Sequence, residues 1–248
     1  MACKIIIPSH RRHDKILAKK LLVNPILCVE ESQKAIYKEY NPDLEIVTHP
    51  DSIKGLMAKN QWMLEHFEEM FMVDDDVYSF IRLHYECGEI KTIKDANFIT
   101  QKILELHGMA KLTNINLFGF NKDMRPEYYD EFRPIVLNKM VGGKAYGIIA
   151  DGKLNYNNDM ILGLKEDYWI SGLQKYYNRM ILIDTRYAFV QKDNFINPGG
   201  LSAIRNEKTE LLSSLKIKEC FGSCVELKKS TNSAKMQINH NISFRFPF

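Results

Sequence analysis

A chain of 248 residues, 45% hydrophobic and 26% charged, is long enough to bury a sizeable core as one large α/β domain or two small ones. Its formal net charge of +3 is too small to establish a nucleic-acid partner, and the excess of eight Lys/Arg over four Asp/Glu from Leu201 onward is what a solvated helix face also gives. No stretch approaches the roughly 18 apolar residues of a membrane span, and the start turns polar at Pro8-Ser9-His10-Arg11-Arg12, which argues against a signal peptide. Five cysteines, at 3, 28, 87, 220 and 224, form no CxxC pair, so reduced thiols in a cytoplasmic setting are expected.

Lys4-Ile5-Ile6-Ile7 is a β-branched run cut by Pro8, as in a buried parallel strand that ends in a loop. His13 to Leu22 carries a helical apolar stripe of Ile16, Leu17, Leu21 and Leu22. Pro25 to Val29 reads as a second strand, Glu31 to Tyr40 as a helix stopped by Asn41-Pro42, and Leu44 to Val47 as a third strand. A helix over about Ile53 to His66 leads to a fourth strand, Met70 to Val73. This alternation builds an open, mainly parallel sheet flanked by helices, whose ligands lie beyond the carboxyl ends of the strands. Ser9, Glu30, His49 and an acidic cluster all fall at those ends.

The second half is less regular. A helix is expected around Phe98 to Lys111, a strand over Ile115 to Phe120, and a polar, aromatic loop from Asn121 to Phe132. After the Gly142-Gly143 turn come a strand at Tyr146 to Ile149, a helix at Glu166 to Tyr177 and a strand at Met180 to Asp184. Asn197-Pro198-Gly199-Gly200 is a flexibility signal. With no internal repeat and no low-complexity linker, the expected organisation is one α/β domain with a mobile C-terminal segment.

The acidic cluster is Asp74-Asp75-Asp76, directly after the apolar Phe71-Met72-Val73. In an extended chain Asp74 and Asp76 share a face and Asp75 takes the other. Adjacent carboxylates repel by roughly 1 kcal/mol in water and about 4 kcal/mol in a protein-like dielectric. A hard divalent cation on oxygen ligands offsets that cost directly; a polar turn that stops the strand is the plainer reading.

These residues carry a resemblance. Ile5 to Arg11 resembles the first strand and loop of nucleotide-sugar-dependent glycosyltransferases of the GT-A fold, and Gly55-Leu56-Met57-Ala58-Lys59-Asn60 resembles the helix start before their metal strand. Asp74-Asp75-Asp76 resembles their DxD element and Glu166-Asp167 their later acidic motif. Tyr37 to Pro42, Thr48 to Ser52, Asn116 to Phe120, Glu166 to Ser171 and Pro198 to Ser202 are similar to the TET-associated glycosyltransferases of bacteriophages, over nearly the whole chain. Lys59-Asn60 departs from the Lys-Arg or Arg-Asn pair more usual in such enzymes.

The resemblance implies a phage enzyme, in the host cytoplasm, that moves a sugar from a nucleotide sugar, a UDP-sugar foremost, to the hydroxyl of a 5-hydroxymethylpyrimidine in DNA, 5-hydroxymethylcytosine foremost. Residues 1–115 would form the donor half and 116–248 the acceptor half. Mn²⁺ or Mg²⁺ on Asp74 and Asp76, with His240 completing the shell, would stabilise the diphosphate leaving group. Asp75 would orient the sugar nucleotide; Pro8, Ser9, Glu30 and Gly55 would line its site; Lys59, Arg11 and Arg205 would compensate phosphate charge. Asp167, with Glu166 as alternate, would be the base of an inverting displacement, a retaining route being the other reading. Tyr128, Tyr129 and Phe132 would stack an extruded base, core packing being the other reading of Phe132. Neither a membrane nor a protein partner is implied. The competing classes are a GT-A transferase acting on a glycan, lipid or protein, a catalytically silent DNA-binding module and a nucleotidyltransferase.

Overall fold

The computed structural model describes residues 3–84, 91–156, 159, 162–191, 205–229 and 240–245, with only the backbone of Lys91, Tyr128, Leu162, Lys229, His240 and Asn241. Strands β1 (Lys4–Pro8), β2 (Ile26–Glu30), β3 (Glu45–His49) and β4 (Glu69–Val73) pair in parallel in the order β3-β2-β1-β4. The apolar runs of β1, β2 and β4 fit strands covered on both faces, while β3 is a partly exposed edge. Alternation along them divides the core: Ile5, Ile7, Leu27, Phe71 and Val73 face one layer, Ile6, Ile26, Cys28, Met70 and Met72 the other.

Helices α1 (Lys34–Tyr40), α2 (Leu56–Phe67) and α3 (Ala96–Leu112) follow the pattern read from sequence. Asp95 caps α3 by accepting from the backbone N–H groups of Asn97 and Phe98. The expected helix over His13 to Leu22 is instead a single 3₁₀ turn at Ala18–Leu21. The backbone N–H groups of Leu17 and Ala18 donate to the Asp75 carbonyl at 2.8 and 3.3 Å, and the Asn41 side chain donates to the His13 carbonyl at 2.9 Å. Tertiary partners replace the helical ones there, and helical propensity yields.

Strands β5 (Val77–Arg82) and β6 (Lys91–Ile93) begin a second sheet, completed by β11 (Tyr187–Gln191) in the order β11-β5-β6. The large sheet continues through β7 (Leu117–Phe120), β8 (Ile135–Val136), β9 (Ala145–Ile149) and β10 (Leu182–Asp184), giving β3-β2-β1-β4-β9-β7-β10-β8. Strand β9 runs antiparallel to both β4 and β7, so its first residues stand at the carboxyl end of β4, with Val73 opposite Ala145. Gly147 in β9 lies under the Phe118 ring, where an added Cβ would sit 2.0 Å from a ring carbon.

The C-terminal portion, expected to be mobile, is a packed unit in its described part. Helix α5 (Glu207–Phe221) starts in an Asn206–Thr209 capping box, and β12 (Val225–Lys229) pairs with β13 (His240–Phe244). Phe221 packs on helix α4 (Glu166–Asn178) at Gly172, where an added Cβ would fall 2.4 Å from the ring. Asn197 to Gly200 lie outside the described residues. Among the described residues no helix is long and apolar enough to cross a membrane, and Cys3, Cys28, Cys220 and Cys224 are free thiols.

Gly172→Ala should therefore lower stability by about 1–3 kcal/mol through overpacking. The measurement is a thermal melt, and Phe221→Leu in the same chain should recover part of the loss.

Candidate active site

The carboxyl ends of β1 to β4 open into one cleft of about 980 Å³. Its floor is the turn Asp74-Asp75-Asp76, which joins β4 to β5 and is closed by Val77 N–H donating to the Asp74 carbonyl at 3.1 Å. The triplet is thus a polar turn as well as a charge cluster, and each carboxylate has a separate set of partners. Asp75 accepts from Ser9 Oγ at 2.6 Å and from Arg12 Nη1 at 2.8 Å. Because Ser9 donates to Asp75, the Tyr37 hydroxyl, 2.7 Å from Ser9 Oγ, donates in turn to Ser9. Asp76 accepts from Arg12 through Oδ2 at 3.3 Å and from Gln191 Nε2 through Oδ1 at 2.6 Å. Asp74 accepts from the same Gln191 Nε2 at 2.9 Å.

Burial, then the neighbouring Asp76, Glu166 and Asp75 charges, holds the Asp74 carboxyl well above its ordinary range. Burial also raises Asp75, against the pull of Ser9 and Arg12. The turn is short of positive charge. One oxygen of Asp74 and one of Asp76 converge on a single polar hydrogen donor, and an all-oxygen pair of this kind suits a hard divalent cation. Among the described residues no three His, Cys, Asp or Glu side chains are grouped to hold a metal. His240 pairs through its backbone with Lys229 in the C-terminal ribbon, and its side chain lies outside the described structure.

On the wall beside the turn, Gly55 enters α2 with φ of 89°, a backbone conformation that suits glycine. One turn further on, buried Lys59 donates from Nζ to the Ser9 carbonyl at 2.8 Å; burial lowers its pKa. Glu30 accepts from Gln33 at 2.5 Å and Lys54 at 3.1 Å. Pro8 lines the cleft beside them. Arg11, with φ of 55°, turns outward and is exposed, while Arg12 turns in. Sequence reasoning had weighed Arg11; nothing in two adjacent arginines tells which one faces inward until the loop geometry is known.

Opposite stand Glu166 and Asp167 in the first turn of α4. A Cβ at Gly143 would lie 2.5 Å from Glu166 Oε1, so the Gly142-Gly143 turn lets the main chain reach this carboxylate. Burial, then the Asp167 charge, pushes the Glu166 carboxyl up to about 8. Burial raises Asp167 too, while Lys122 and Lys165 pull it down. Arg205 and Lys165 face the same end and both pair with buried Glu210 of α5, at 2.8 and 2.7 Å. Lys144, pushed down to about 8 by burial, donates to the Lys122 carbonyl at 3.0 Å.

The cleft therefore gathers Pro8, Ser9, Arg11, Glu30, Gly55, Lys59, the aspartate triplet, Glu166, Asp167 and Arg205. Phe132 is 87% exposed, which excludes its core-packing reading, and Tyr129 packs against the Ile81, Leu83 and Ala188 cluster. Sequence reasoning missed Arg12, Tyr37, Gln191 and Glu210. The apolar run Tyr187 to Val190 was a legible strand signal for placing Gln191; the others carried none.

A sheet of this order, with an acidic turn at the strand ends and a second acidic pair across the cleft, defines a GT-A-like glycosyltransferase fold. The chain belongs to the TET-associated glycosyltransferase family, whose model matches residues 3–200. Its fold is similar to the crystal structure of S. aureus TarS 1–349 in complex with UDP-GlcNAc, with a TM-score of 0.54 and 11% identity over 88% of this chain and 67% of that one. A second crystal structure of TarS 1–349 matches with a TM-score of 0.49 and 12% identity over 76% of this chain and 59% of that one. The chain thus spans about three-fifths to two-thirds of the TarS segment. No curated protein matches it.

The elevated Glu166 carboxyl has a thermodynamic sign. Between its ordinary value of 4.5 and about 8, the folded state holds a proton that the unfolded state has lost. Stability of the metal-free protein should fall as pH rises through that window. Urea midpoints at a series of pH values should show a shallower fall in Glu166→Gln.

Proposed function

We propose that this protein transfers a sugar from a nucleotide sugar, a UDP-sugar foremost, to the hydroxyl of a 5-hydroxymethylpyrimidine in DNA, 5-hydroxymethylcytosine foremost. The observation that carries the reading is one cleft with an oxygen-lined acidic turn on its floor and a separate buried acidic pair across from it, in a member of this family. The TarS neighbour bound to UDP-GlcNAc supports the choice of donor. The DNA acceptor rests on the family.

Mn²⁺ or Mg²⁺ held by Asp74 and Asp76 would act when bound as a Lewis acid on the diphosphate leaving group. Lys59 and the first turn of α2 add positive charge beside the diphosphate. Arg205 and Lys165, fixed by Glu210, supply more from the far wall. Asp75, kept in place by Ser9 and Arg12, orients the sugar nucleotide. Asp167 takes the proton of the acceptor hydroxyl in an inverting displacement, and Glu166 is its alternate. Exposed Phe132 stacks on an extruded base, a contact of about 1–3 kcal/mol.

Duplex oligonucleotides carrying 5-hydroxymethylcytosine, incubated with UDP-sugars and Mn²⁺, should gain the mass of one sugar per modified base. Glycan, lipid or protein acceptors labelled in its place would overturn the DNA reading. Asp167→Asn should lower turnover by about 10²–10⁴-fold and leave donor affinity near wild type by calorimetry. Phe132→Ala should raise KM for DNA about tenfold and leave KM for the nucleotide sugar unchanged, as loss of one stacking contact predicts.

A further inference from the structure

We propose that Gln191 is a third protein ligand of the cation at the acidic turn, through its side-chain carbonyl oxygen. The proposal rests on the metal-dependent reading above and names a residue for it that carries no charge.

Gln191 is the last residue of β11 and stands opposite Val77, the residue after the triplet. The register between β11 and β5 shifts between Val190 and Gln191. Such an irregularity re-aims a side chain relative to a regular strand, and here it directs the amide at the turn. Gln191 Nε2 stands 2.9 Å from Asp74 Oδ2 and 2.6 Å from Asp76 Oδ1. The amide thus ends where the two carboxylate oxygens converge.

Two carboxylate oxygens at hydrogen-bond distance call for the amide to present N–H. A cation between the same oxygens requires the opposite, and the side chain meets both demands. Its carbonyl oxygen and nitrogen exchange places by a half-turn about the terminal torsion, which is broad for an amide. Carbonyl oxygen is an accepted ligand type for hard cations. Three other carboxylate oxygens of the turn are engaged elsewhere. Both oxygens of Asp75 are taken by Ser9 and Arg12, and Asp76 Oδ2 faces Arg12. Asp74 Oδ2, Asp76 Oδ1 and the Gln191 carbonyl then make a neutral-plus-anionic oxygen set, with the other positions left for water and diphosphate oxygens.

Mn²⁺ titrated into the full chain without donor or DNA, with free Mn²⁺ read by electron paramagnetic resonance, tests this. Wild type should bind, Gln191→Leu about tenfold more weakly, and Gln191→Glu at least as tightly as wild type. Equal affinity in all three overturns the proposal, as does tighter binding by Gln191→Leu, which would make the amide a competitor of the cation. Absence of binding by wild type overturns the metal-dependent reading itself, and so separates the two failures. A readout free of folding effects is the ¹⁵N side-chain amide pair that disappears in Gln191→Leu. In wild type it should move on addition of Mg²⁺, and an unmoved pair overturns the assignment.

Discussion

Three adjacent carboxylates at the end of a buried strand set the terms for everything around them. Their mutual repulsion is of the order of several kcal/mol at protein-like dielectric, comparable with a large share of a domain's net stability. The fold divides that load among elements distant in sequence. Loop residues Ser9 and Arg12 take Asp75, the end of β11 takes Asp74 and Asp76, and the backbone of residues 17 and 18 takes the Asp75 carbonyl. Burial first, and then the repulsion that remains uncompensated, show as an elevated Asp74 carboxyl. A site left partly unbalanced in this way favours a cationic ligand over none.

The opposite wall follows the same logic with different means. Glu166 and Asp167 sit in the first turn of α4, where the helix end favours negative charge. Burial nevertheless outweighs that help and both carboxyls are raised. Glu210, from a helix beyond the family-matched residues, anchors two cations at this wall. The C-terminal helix is therefore part of the cleft's electrostatics and not only a cover for α4.

Much of this was legible in the sequence because it follows short-range rules. The buried runs Ile5–Ile7, Ile26–Val29 and Met70–Val73, with the helical stretches between them, fix the parallel half of the sheet. The acidic turn and the Glu166-Asp167 pair stand out by composition alone. What was not legible depends on long-range partners. The stripe from Ile16 to Leu22 has helical spacing, yet the backbone N–H groups of Leu17 and Ala18 go to the Asp75 carbonyl, and just ahead of it the His13 carbonyl accepts from Asn41. Arg12 is chosen over Arg11 by a positive φ that no residue pattern encodes. Gln191 meets the triplet only because β11 pairs with β5 across more than a hundred residues of intervening chain.

The reversed strand β9 has a consequence for how such a protein can diverge. Most loops at this edge of the sheet leave a strand, but the Gly142-Gly143 turn enters one, and Lys144 there accepts the Asp74 N–H at 2.9 Å. That bond extends the β4–β9 ladder into the acidic turn, so the turn and the Gly142-Gly143 side of the cleft are joined through the main chain although they come from separate stretches of it. Insertions ahead of β9 would remodel the Gly142-Gly143 side of the cleft without shifting the register of β1 to β4. A fold wired in this way keeps the acidic floor of its cleft fixed while the facing side is free to change.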